Sequence, residues 1–416
     1  MANSQQLIPQ LFIIPSIAVS AKTRSLPSVH RATDVRLGRI VRLLMSHATV
    51  VVSGTKIAEE IGTTRSEVWR LIQQLRGLGV DVAGHPATGY RLRAVPDLLL
   101  PEMLSPSLKG TIFGGGRRVP QGLKPSSKQS SDRGGEPPRH PKSGAVTTFS
   151  ASDDATPHPK TSHDTGVRLI HHYYKIGSTN LEAMRSAAAG APEGSVFLAE
   201  EQLSGRGRGE HSWHSARSAG IYCSVILRPA LPPSDALIFS LAAGLAVRAA
   251  VAEIAPQLPV DLKWPNDLLL GGKKFCGILT EMNAEATRVR HLVLGVGINV
   301  NQVKFPADLR EIATSLRIES GTEWSRVELC AALLRSLDRE YRSLIEDARA
   351  RDAILRRFEA SSSSVRGRKV TILMNGDESG GLTGVTEGLD ERGFLQVRTA
   401  EGVRTVVSGT VRLDGA

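Results

Sequence analysis

The sequence predicts an α+β fold made of several domains, and three patterns along the chain carry this prediction. Residues 33–95 show three short helical patterns followed by two short strand patterns. Residues 167–360 contain hairpins and neighbouring strands, which predict a central, mainly antiparallel sheet with helices on one face. Residues 361–416 hold short alternating runs separated by Gly and Asp, which predict a small β-barrel. A chain of 416 residues has room for about two to four such domains.

Composition narrows the class of protein and its partners. The net charge of +11 and the pI of about 9.8 favour acidic partners such as nucleic acid or nucleotides. The 3 cysteines (Cys223, Cys276 and Cys330) are scattered, which argues against a disulfide framework or zinc site and favours a reducing compartment. The sequence shows no apolar run of membrane-spanning length, and residues 11–19 lack the basic start of a signal peptide. We therefore expect a cytoplasmic protein that does not contact a membrane, with residues 1–32 as a disordered extension.

The N-terminal patterns predict helix boundaries as well as helices. Residues 35–45 predict a first helix, and Ser53 can cap a second helix that ends before Gly62. A third helix starts at Thr64 or Ser66, and its apolar positions repeat at i, i+3, i+4 and i+7, namely Val68, Leu71, Ile72 and Leu75. Two strands then flank a tip rich in glycine and proline. Three helices and a hairpin form the plan of a winged helix-turn-helix domain.

Such a domain predicts binding to DNA. The third helix would enter the major groove, and the hairpin tip would touch the adjacent backbone. Between residues 33 and 94, basic residues outnumber acidic ones by nine to five, which permits weak nonspecific binding that a dimer would multiply. The predicted DNA-binding residues are Arg65, Ser66, Trp69, Arg70, Gln73 and His85. The alternative is a small helical domain used for protein contacts.

Residues 96–166 are predicted to be a linker that is mostly disordered. Residues 98–108 predict a short helix that leads out of the first domain. From residue 112 onward Gly, Pro, Ser, Lys and Arg dominate and no hydrophobic period remains. We therefore expect this segment to separate the first domain from the central one.

The central elements can be placed from their apolar runs and turn residues. Ser178 or Thr179 is expected to cap a helix, and the free amides at its start favour an anion. Gly271 and Gly272 are expected to join two strands in a hairpin. The Gly295-Val296-Gly297 segment lacks the third glycine and the helix of a dinucleotide-binding fold, which excludes that class. The other expected elements are strands at 167–174, 195–199, 220–227, 260–264 and 289–298, and helices at 236–254 and 324–346.

A glycine- and arginine-rich loop stands between two of these strands. In residues 205–209 three glycines alternate with Arg206 and Arg208, so the segment is expected to resist both helix and strand. Arginine offers a planar fork of donors that matches phosphate and carboxylate, and glycine lets the backbone come close to a ligand. We expect the loop to close over an anionic ligand. A solvated basic surface loop is the alternative for so short a motif.

Several motifs, in this order, resemble those of the biotin protein ligases. They are Gly177-Ser178-Thr179-Asn180, the Gly-Arg-Gly-Arg-Gly loop, Lys263-Trp264-Pro265-Asn266-Asp267, the segment 271–279 and Gly295-Val296-Gly297-Ile298-Asn299. The resemblance covers residues 169–301 and departs from the family at two places. After Gly209 the family often continues with arginine, glycine and a basic residue, where this chain has Glu210, His211 and Ser212. In relatives the DNA-binding unit also joins the ligase core more directly.

The resemblance implies a fold and an activity. The fold would be a biotin/lipoate ligase-like core, related to the class II aminoacyl-tRNA synthetases, with an SH3-like barrel at the C-terminus. The activity would be that of a biotin–[acetyl-CoA-carboxylase] ligase, which uses ATP and Mg²⁺ to convert biotin to biotinyl-5′-AMP and transfers it to a lysine of the biotin carboxyl carrier protein. Such proteins also bind operator DNA as ligand-promoted homodimers and repress biotin genes. The alternatives are a lipoate- or octanoyl-transferring enzyme and a ligand-sensing transcription factor without ligase activity.

The resemblance also assigns roles to individual residues. The catalytic residues would be Lys274, Arg206 and Arg208. Biotin would bind to Ser178, Thr179, Asn180, Gln202, Arg206, Gly207, Arg208, Lys274 and Gly277. ATP would bind to Lys263, Trp264, Asn266, Asp267, Trp213 and Asn299, with Asn301 as a weaker candidate. No resident metal site is expected, although Asp267 could reach Mg²⁺ carried by the nucleotide.

Overall fold

The computed structural model describes residues 28–48, 50–85, 88–115, 169–209, 211–373 and 381–413. Two expected features lie outside these residues. They are the extension up to residue 27, which includes the segment 11–19 considered as a signal peptide, and the disordered segment from 116 to 166. The same is true of Pro86 and Ala87 at the hairpin tip.

The N-terminal helices begin and end largely where the capping residues predict. The elements are α1 (Ser28–Ser46), α2 (Gly54–Ile61), α3 (Arg65–Gly77), β1 (Val82–His85) and β2 (Gly89–Leu92). Ser53 caps α2 by accepting from the Lys56 amide at 3.1 Å, and Gly62 ends the helix in the left-handed region at φ 66°. Thr64, rather than Ser66, caps α3. Helix α1 begins within residues 1–32, where an extension was expected, so that boundary is wrong.

The four predicted apolar positions of α3 form part of one buried cluster. That cluster joins α1, α2, α3 and the β1–β2 hairpin, and it includes Val68, Leu71, Ile72 and Leu75, each fully buried. The hairpin pairs Val82 with Leu92, and both side chains belong to the cluster, so the wing packs against the helices. The winged helix-turn-helix plan is thus the observed arrangement.

Residues 97–113 do not behave as a linker. They form α4 (Pro101–Leu104) and two short 3-10 turns, Ser105–Leu108 and Ile112–Gly114. Leu98 and Leu100 belong to the N-terminal cluster. The later apolar side chains of this segment belong to the core of the central domain, where Ile112 is 5% and Phe113 1% exposed. The Ile112 amide donates to Asp338 at 2.8 Å. The linker was therefore predicted to start too early. The prediction relied on the composition after residue 112 and gave too little weight to the apolar side chains of Ile112 and Phe113.

The central domain is a seven-stranded sheet. Its strands and adjoining elements are β3 (Ile170–Tyr173), α5 (Thr179–Ala188), β4 (Val196–Ala199), β5 (Gly205–Arg206), β6 (Ser212–Trp213), β7 (Gly220–Leu227), α6 (Leu237–Ile254), β8 (Asp261–Lys263), β9 (Asp267–Leu270), β10 (Lys273–Ala284) and β11 (Val289–Asn299). The order is β3-β4-β7-β11-β10-β9-β8, and β3–β4 is its parallel pair. Gly271 and Gly272, at φ 54° and 80°, make the expected hairpin between β9 and β10. The prediction of a mainly antiparallel sheet is confirmed.

Helices cover both faces of this sheet, which corrects the expectation of one covered face. Alternate residues of β7 point to opposite sides: Cys223 and Val225 join the core on the α6 side, and Ile226 joins Ala183 and Ala187 of α5. Helix α5 is short and alanine-rich, so it packs closely on β7 and β4. Its N-terminal end leaves an open space on the sheet beside it.

The expectation that the sequence has no apolar run of membrane-spanning length is wrong for helix α6. By length and composition, Pro233–Ile254 could cross a membrane. In the described structure 72% of its apolar window is buried, between the sheet and α8. It is the central core helix. The remaining helices are α7 (Leu316–Ser320), α8 (Arg326–Glu346) and α9 (Ala350–Ala360), of which α7 and α9 were not predicted.

The C-terminal region is a five-stranded antiparallel sheet that shares the main core. Its strands are β12 (Arg366–Leu373), β13 (Leu382–Leu389), β14 (Leu395–Thr399), β15 (Gly402–Val406) and β16 (Thr410–Leu413), in the order β15-β14-β13-β12-β16. Val370 and Phe394 join the same buried cluster as α6. Trp264 of the central domain donates to the Gly393 carbonyl at 2.9 Å.

Candidate functional site

A pocket of about 460 Å³, including its open mouth, lies beside the start of α5. Strands β7, β10 and β11 form its floor, and residues 202–209 and 211–213 form its cover. All of the residues expected to bind biotin or to catalyse the reaction line it: Ser178, Thr179, Asn180, Gln202, Arg206, Gly207, Arg208, Lys274 and Gly277, with Trp213 and Asn266 from the expected nucleotide set.

Two glycines make the floor flat. Gly277 of β10 pairs with Gly297 of β11. The Trp213 indole lies directly over both glycines. A Cβ added at Gly277 would come within 2.9 Å of the ring, and a Cβ at Gly297 within 2.6 Å. Gly277 was expected to bind biotin, and in this structure the Trp213 indole lies in the space above it. The buried Trp213 Nε1 has no hydrogen-bond partner among the described residues.

The start of α5 is tied to the beginning of the cover. The Thr179 amide and hydroxyl both donate to Gln202 Oε1, at 2.9 and 3.1 Å. Gln202 Nε2 donates to Ser215 Oγ at 3.0 Å. Ser178 occupies the N-cap position without a capping hydrogen bond from its side chain, and it lines the pocket. The first amide of the helix is thus satisfied by Gln202.

Lys274 stands at the start of β10 on a fixed backbone. Its amide donates to the Ile312 carbonyl and its carbonyl accepts from Thr314, at 2.8 and 3.0 Å. Its ammonium Nζ lies 2.6 Å from Asp267 Oδ1 and 5.6 Å from the centroid of Trp213. A cation so held, at the mouth of a partly enclosed pocket, can meet the oxygens of a carboxylate or phosphate.

The cover forms a short hairpin, which corrects the expectation that it would resist strand structure. Gly205 pairs with Trp213 and Arg206 with Ser212. The Arg206 guanidinium contacts the Glu281 carboxylate at 2.9 Å. Arg208 Nη1 donates to Asn266 Oδ1 at 3.2 Å, and burial lowers the pKa of its guanidinium while nearby Asp267 opposes that shift. We call residues 202–209 and 211–213 the flap.

Five residues expected at the nucleotide lie outside the pocket lining, although one of them, Asp267, contacts the lining residue Lys274. Trp264 is 2% exposed and its indole donates into the C-terminal sheet, so it cannot face the pocket. Asn299 is buried and donates to the Thr314 carbonyl. Asn301 exchanges hydrogen bonds with the Trp324 backbone. Lys263 pairs with Asp267 across the β8–β9 ladder, so it lies two strands away from Lys274, with β9 between them. Motif membership did not reveal which way these side chains point.

Sequence reasoning missed two buried polar residues in the pocket region. Glu281, 2% exposed, contacts Arg206 and Asn180. Ser224 is fully buried and donates to Asn180 Oδ1 at 2.6 Å. Both residues lie in strands made mostly of apolar residues. The single carboxylate in such a strand was the sequence feature from which a functional role for Glu281 could have been predicted.

A second buried ionic cluster lies just before the flap. Glu200 Oε2 accepts from Arg326 at 2.7 Å, and Glu200 Oε1 accepts from the Leu99 amide at 3.0 Å and contacts His172 at 3.1 Å. Arg326 also donates to Asp97 at 3.0 Å. Burial alone would raise the pKa of Glu200, but Arg326 and His172 hold it at about 2. The cluster fastens residues 97–99 to the central domain.

The third helix presents the expected DNA-binding face. Arg65, Ser66 and Arg70 are exposed, Trp69 is 59% exposed and Gln73 is half-buried. The Arg70 fork donates to Glu67 at 2.6 and 2.8 Å, and this bond lowers the pKa of Glu67. The His85 side chain lies outside the described residues.

The described residues contain no group of three side chains able to hold a metal ion. Asp267, paired with Lys274 at the pocket, is a single carboxylate. Mg²⁺ also takes few protein ligands when phosphates hold it. The donor set fits an ion that arrives with a nucleotide.

Comparison with known proteins gives this arrangement its class. Residues 175–299, which hold the pocket, match the Biotin/lipoate A/B protein ligase family. Residues 36–91 match an HTH domain, and residues 366–414 match the biotin protein ligase C terminal domain. The resemblance expected from the motifs is confirmed.

The relatives narrow the class to a particular family. The chain is 31% identical over 376 residues to the bifunctional ligase/repressor BirA of Bacillus spizizenii, which covers 90% of this chain and 97% of the relative. The chain therefore belongs to the bifunctional ligase/repressor BirA family. It is 34% identical to a biotin–[acetyl-CoA-carboxylase] ligase of Mycobacterium tuberculosis over 58% of this chain and 87% of that one. A biotin protein ligase from Aquifex aeolicus in complex with biotin and ATP superposes with a TM-score of 0.51 at 28% identity, covering 59% of this chain and 99% of that one.

Proposed function

We propose that this protein joins biotin to a lysine of the biotin carboxyl carrier protein of acetyl-CoA carboxylase. In the first step the biotin carboxylate attacks the α-phosphate of ATP, forming biotinyl-5′-AMP and releasing pyrophosphate. In the second step the acceptor lysine attacks the acyl carbon and AMP leaves. The observation that carries this proposal is the meeting of Lys274, Arg206 and Arg208 around one glycine-floored pocket.

The first step brings two negative groups together, so fixed cations are the central requirement. Lys274 is positioned by its clamped backbone to contact both the carboxylate and the α-phosphate. Arg208 lies across the pocket on Asn266 and would hold the phosphate under the flap. When ATP brings Mg²⁺, the ion supplies further charge neutralisation, with Asp267 as its available protein ligand.

The acyl group is tested by mass spectrometry. Purified protein is incubated with ATP, Mg²⁺, a carrier domain and biotin, lipoate or octanoate in separate reactions. We expect the mass of the carrier to rise by one biotinyl group and to stay unchanged with the other two acids. Lys274→Met should abolish pyrophosphate release while leaving the fold intact. Transfer of lipoate or octanoate but not biotin would establish the alternative enzyme on the same fold.

We also propose that the protein represses biotin genes as a homodimer promoted by biotinyl-5′-AMP. The exposed face of α3 supports DNA contact, and the Glu200 cluster supports a link between the flap and the segment that leaves the DNA-binding unit. Linkage requires that the dimer bind the adenylate more tightly than the monomer does.

Repression is tested by selecting duplexes from a random-sequence library, with and without biotin and ATP, and by sedimentation of the same samples. We expect enrichment and dimers only when the adenylate is present. Arg70→Ala should weaken binding of the selected duplex without changing the ligation rate. A pure ligand-sensing transcription factor would instead bind DNA and release no pyrophosphate.

Finer structural assignments belong to the same proposal. We infer that the C-terminal sheet is an SH3-like barrel, since hairpins join consecutive strands and β12 pairs with both β13 and β16. A relation of the core to class II aminoacyl-tRNA synthetases is supported by the antiparallel sheet and by adenylate chemistry. We infer that the winged domain runs from the start of α1 to about residue 95, that residues 97–113 pack with the catalytic domain at 167–360, that the linker follows residue 113, and that the barrel spans 361–416. The 3 reduced, buried cysteines support a cytoplasmic location.

A further inference from the structure

We propose that Glu281 is a positioning residue of the flap, which holds Arg206 in place and so leaves Arg208 as the arginine that binds the anion. The two arginines of the loop would then have different tasks. This inference rests on the proposed function, because it concerns how the same pocket retains its adenylate.

Both oxygens of Glu281 are engaged. Oε1 lies 2.9 Å from Arg206 Nη1, and Oε2 accepts from Asn180 Nδ2 at 3.0 Å. The Glu281 side chain is 3% exposed. A carboxylate withdrawn from water needs such partners, because burying an unpaired charge is costly.

Asn180 gives Glu281 a rigid support. Its Oδ1 accepts from Ser224 at 2.6 Å, which fixes the orientation of the amide. Its Nδ2 then donates to Glu281 and lies 3.4 Å from the Leu279 carbonyl. Gly295 allows this packing, because a Cβ there would collide with the Asn180 side chain. Asn180 was expected to bind biotin, and in this arrangement its amide is committed to the protein instead.

The charges of the pocket separate Arg206 from Arg208. Arg206 is paired with Glu281, and Lys274 is paired with Asp267. Arg208 contacts a neutral amide, that of Asn266, and has no ion pair within 4.0 Å among the described residues. The pocket therefore carries one cation whose charge is not neutralised by a direct carboxylate contact. An arriving phosphate would find its strongest electrostatic partner in Arg208.

The position of Arg206 within the flap allows its ion pair with Glu281 to hold the flap against the sheet. It lies in β5, one residue from Gly207, whose amide donates to the His211 carbonyl at 2.8 Å. Its guanidinium is partly exposed, so the ion pair is screened on one side. Loss of the Glu281 charge should therefore loosen the flap without unfolding the domain.

The test uses the full-length protein with Glu281→Gln, and with Glu285→Gln as the matched control. Glu285 lies at the far end of the same hairpin in an exposed pair with Arg290. In the ligand-free state, trypsin cleavage after Arg208 should be about three- to tenfold faster in Glu281→Gln than in wild type, which is the range for losing one partly exposed charged contact. Biotinyl-5′-AMP should dissociate faster by a similar factor, with little change in kcat for its formation. The control variant should match wild type in both assays.

A double variant separates positioning from general structural damage. Arg206→Ala leaves the Glu281 carboxylate buried without its cation, so adding Glu281→Gln should restore thermal stability towards the wild-type value. Equal flap cleavage in wild type and Glu281→Gln would overturn the inference, as would a double variant less stable than Arg206→Ala alone. The trypsin assay needs no substrate. Failure of the proposed function would instead appear as no adenylate formation by wild type.

Discussion

Replacing Arg326 with methionine should destabilise the central domain more than any surface charge change on the same helix. Arg326 is 1% exposed and its guanidinium contacts Glu200 and Asp97 together. Methionine keeps most of the apolar stem but leaves two carboxylates without their cation. Removing one partner of a buried ion pair costs about 3–5 kcal/mol, because the remaining charge stays buried.

The pKa of Glu200 gives a second measure of the free energy that this ion pair contributes to folding. Folding lowers this pKa from 4.5 to about 2. A shift of about 2.5 units corresponds to about 3 kcal/mol of stability. Because the folded pKa is the lower one, this stabilisation is complete above about pH 4.5 and is lost as the pH falls towards 2. Arg326→Met should remove most of it, so the variant should unfold at a higher pH than wild type during acid titration.

Urea denaturation at pH 7, followed by tryptophan fluorescence, measures the difference. Trp324 lies two residues from Arg326, and Trp264 is buried in the core, so both report on this domain. Arg335→Met is the matched control, since Arg335 is on the same helix and pairs with Glu253 in an exposed contact. The control should change the free energy of unfolding by less than about 1 kcal/mol. A loss for Arg326→Met no larger than that of the control would refute the reasoning.

Three other substitutions test single features of the flap and its surroundings. Arg208→Ala should weaken retention of biotinyl-5′-AMP by roughly 2–5 kcal/mol, seen as a faster dissociation rate and as untargeted labelling of bystander proteins, and an unchanged rate would contradict its role. Ser218→Gly should raise stability by about 1 kcal/mol, since Ser218 has a φ of 50° that glycine adopts freely; a lower melting temperature would argue against strain there. Gly297→Ala should displace Trp213, because the new Cβ would lie 2.6 Å from the ring, so the emission maximum should shift and the KM for biotin rise. An unaltered spectrum would show that the indole does not rest on this strand.

The parts of the fold that the sequence predicted are those with local causes. Ser53 and Gly62 mark the ends of α2 through their own backbone chemistry, and the paired glycines of the β9–β10 hairpin adopt positive φ as expected. The relation between Arg206 and Glu281 has no local cause, because 75 positions separate two residues that meet only when the sheet is formed. The same holds for Arg326, whose partner Asp97 lies in a segment predicted to be a linker. Trp264 is a different case. Its motif predicted that it lies near the site, but not that its side chain points away towards the C-terminal sheet.

The burial of α6 has a consequence for synthesis of the chain. This helix is apolar enough to enter a membrane, and it is covered by α8, α9 and the Gly393 turn, all of which follow it in the sequence. On the ribosome, the nascent helix therefore emerges more than a hundred residues before the last of its covering surfaces. During that interval it is a target for chaperones and for mistaken insertion into a membrane. Chains truncated before residue 393 should accordingly aggregate in cells, even though the whole pocket has already been translated.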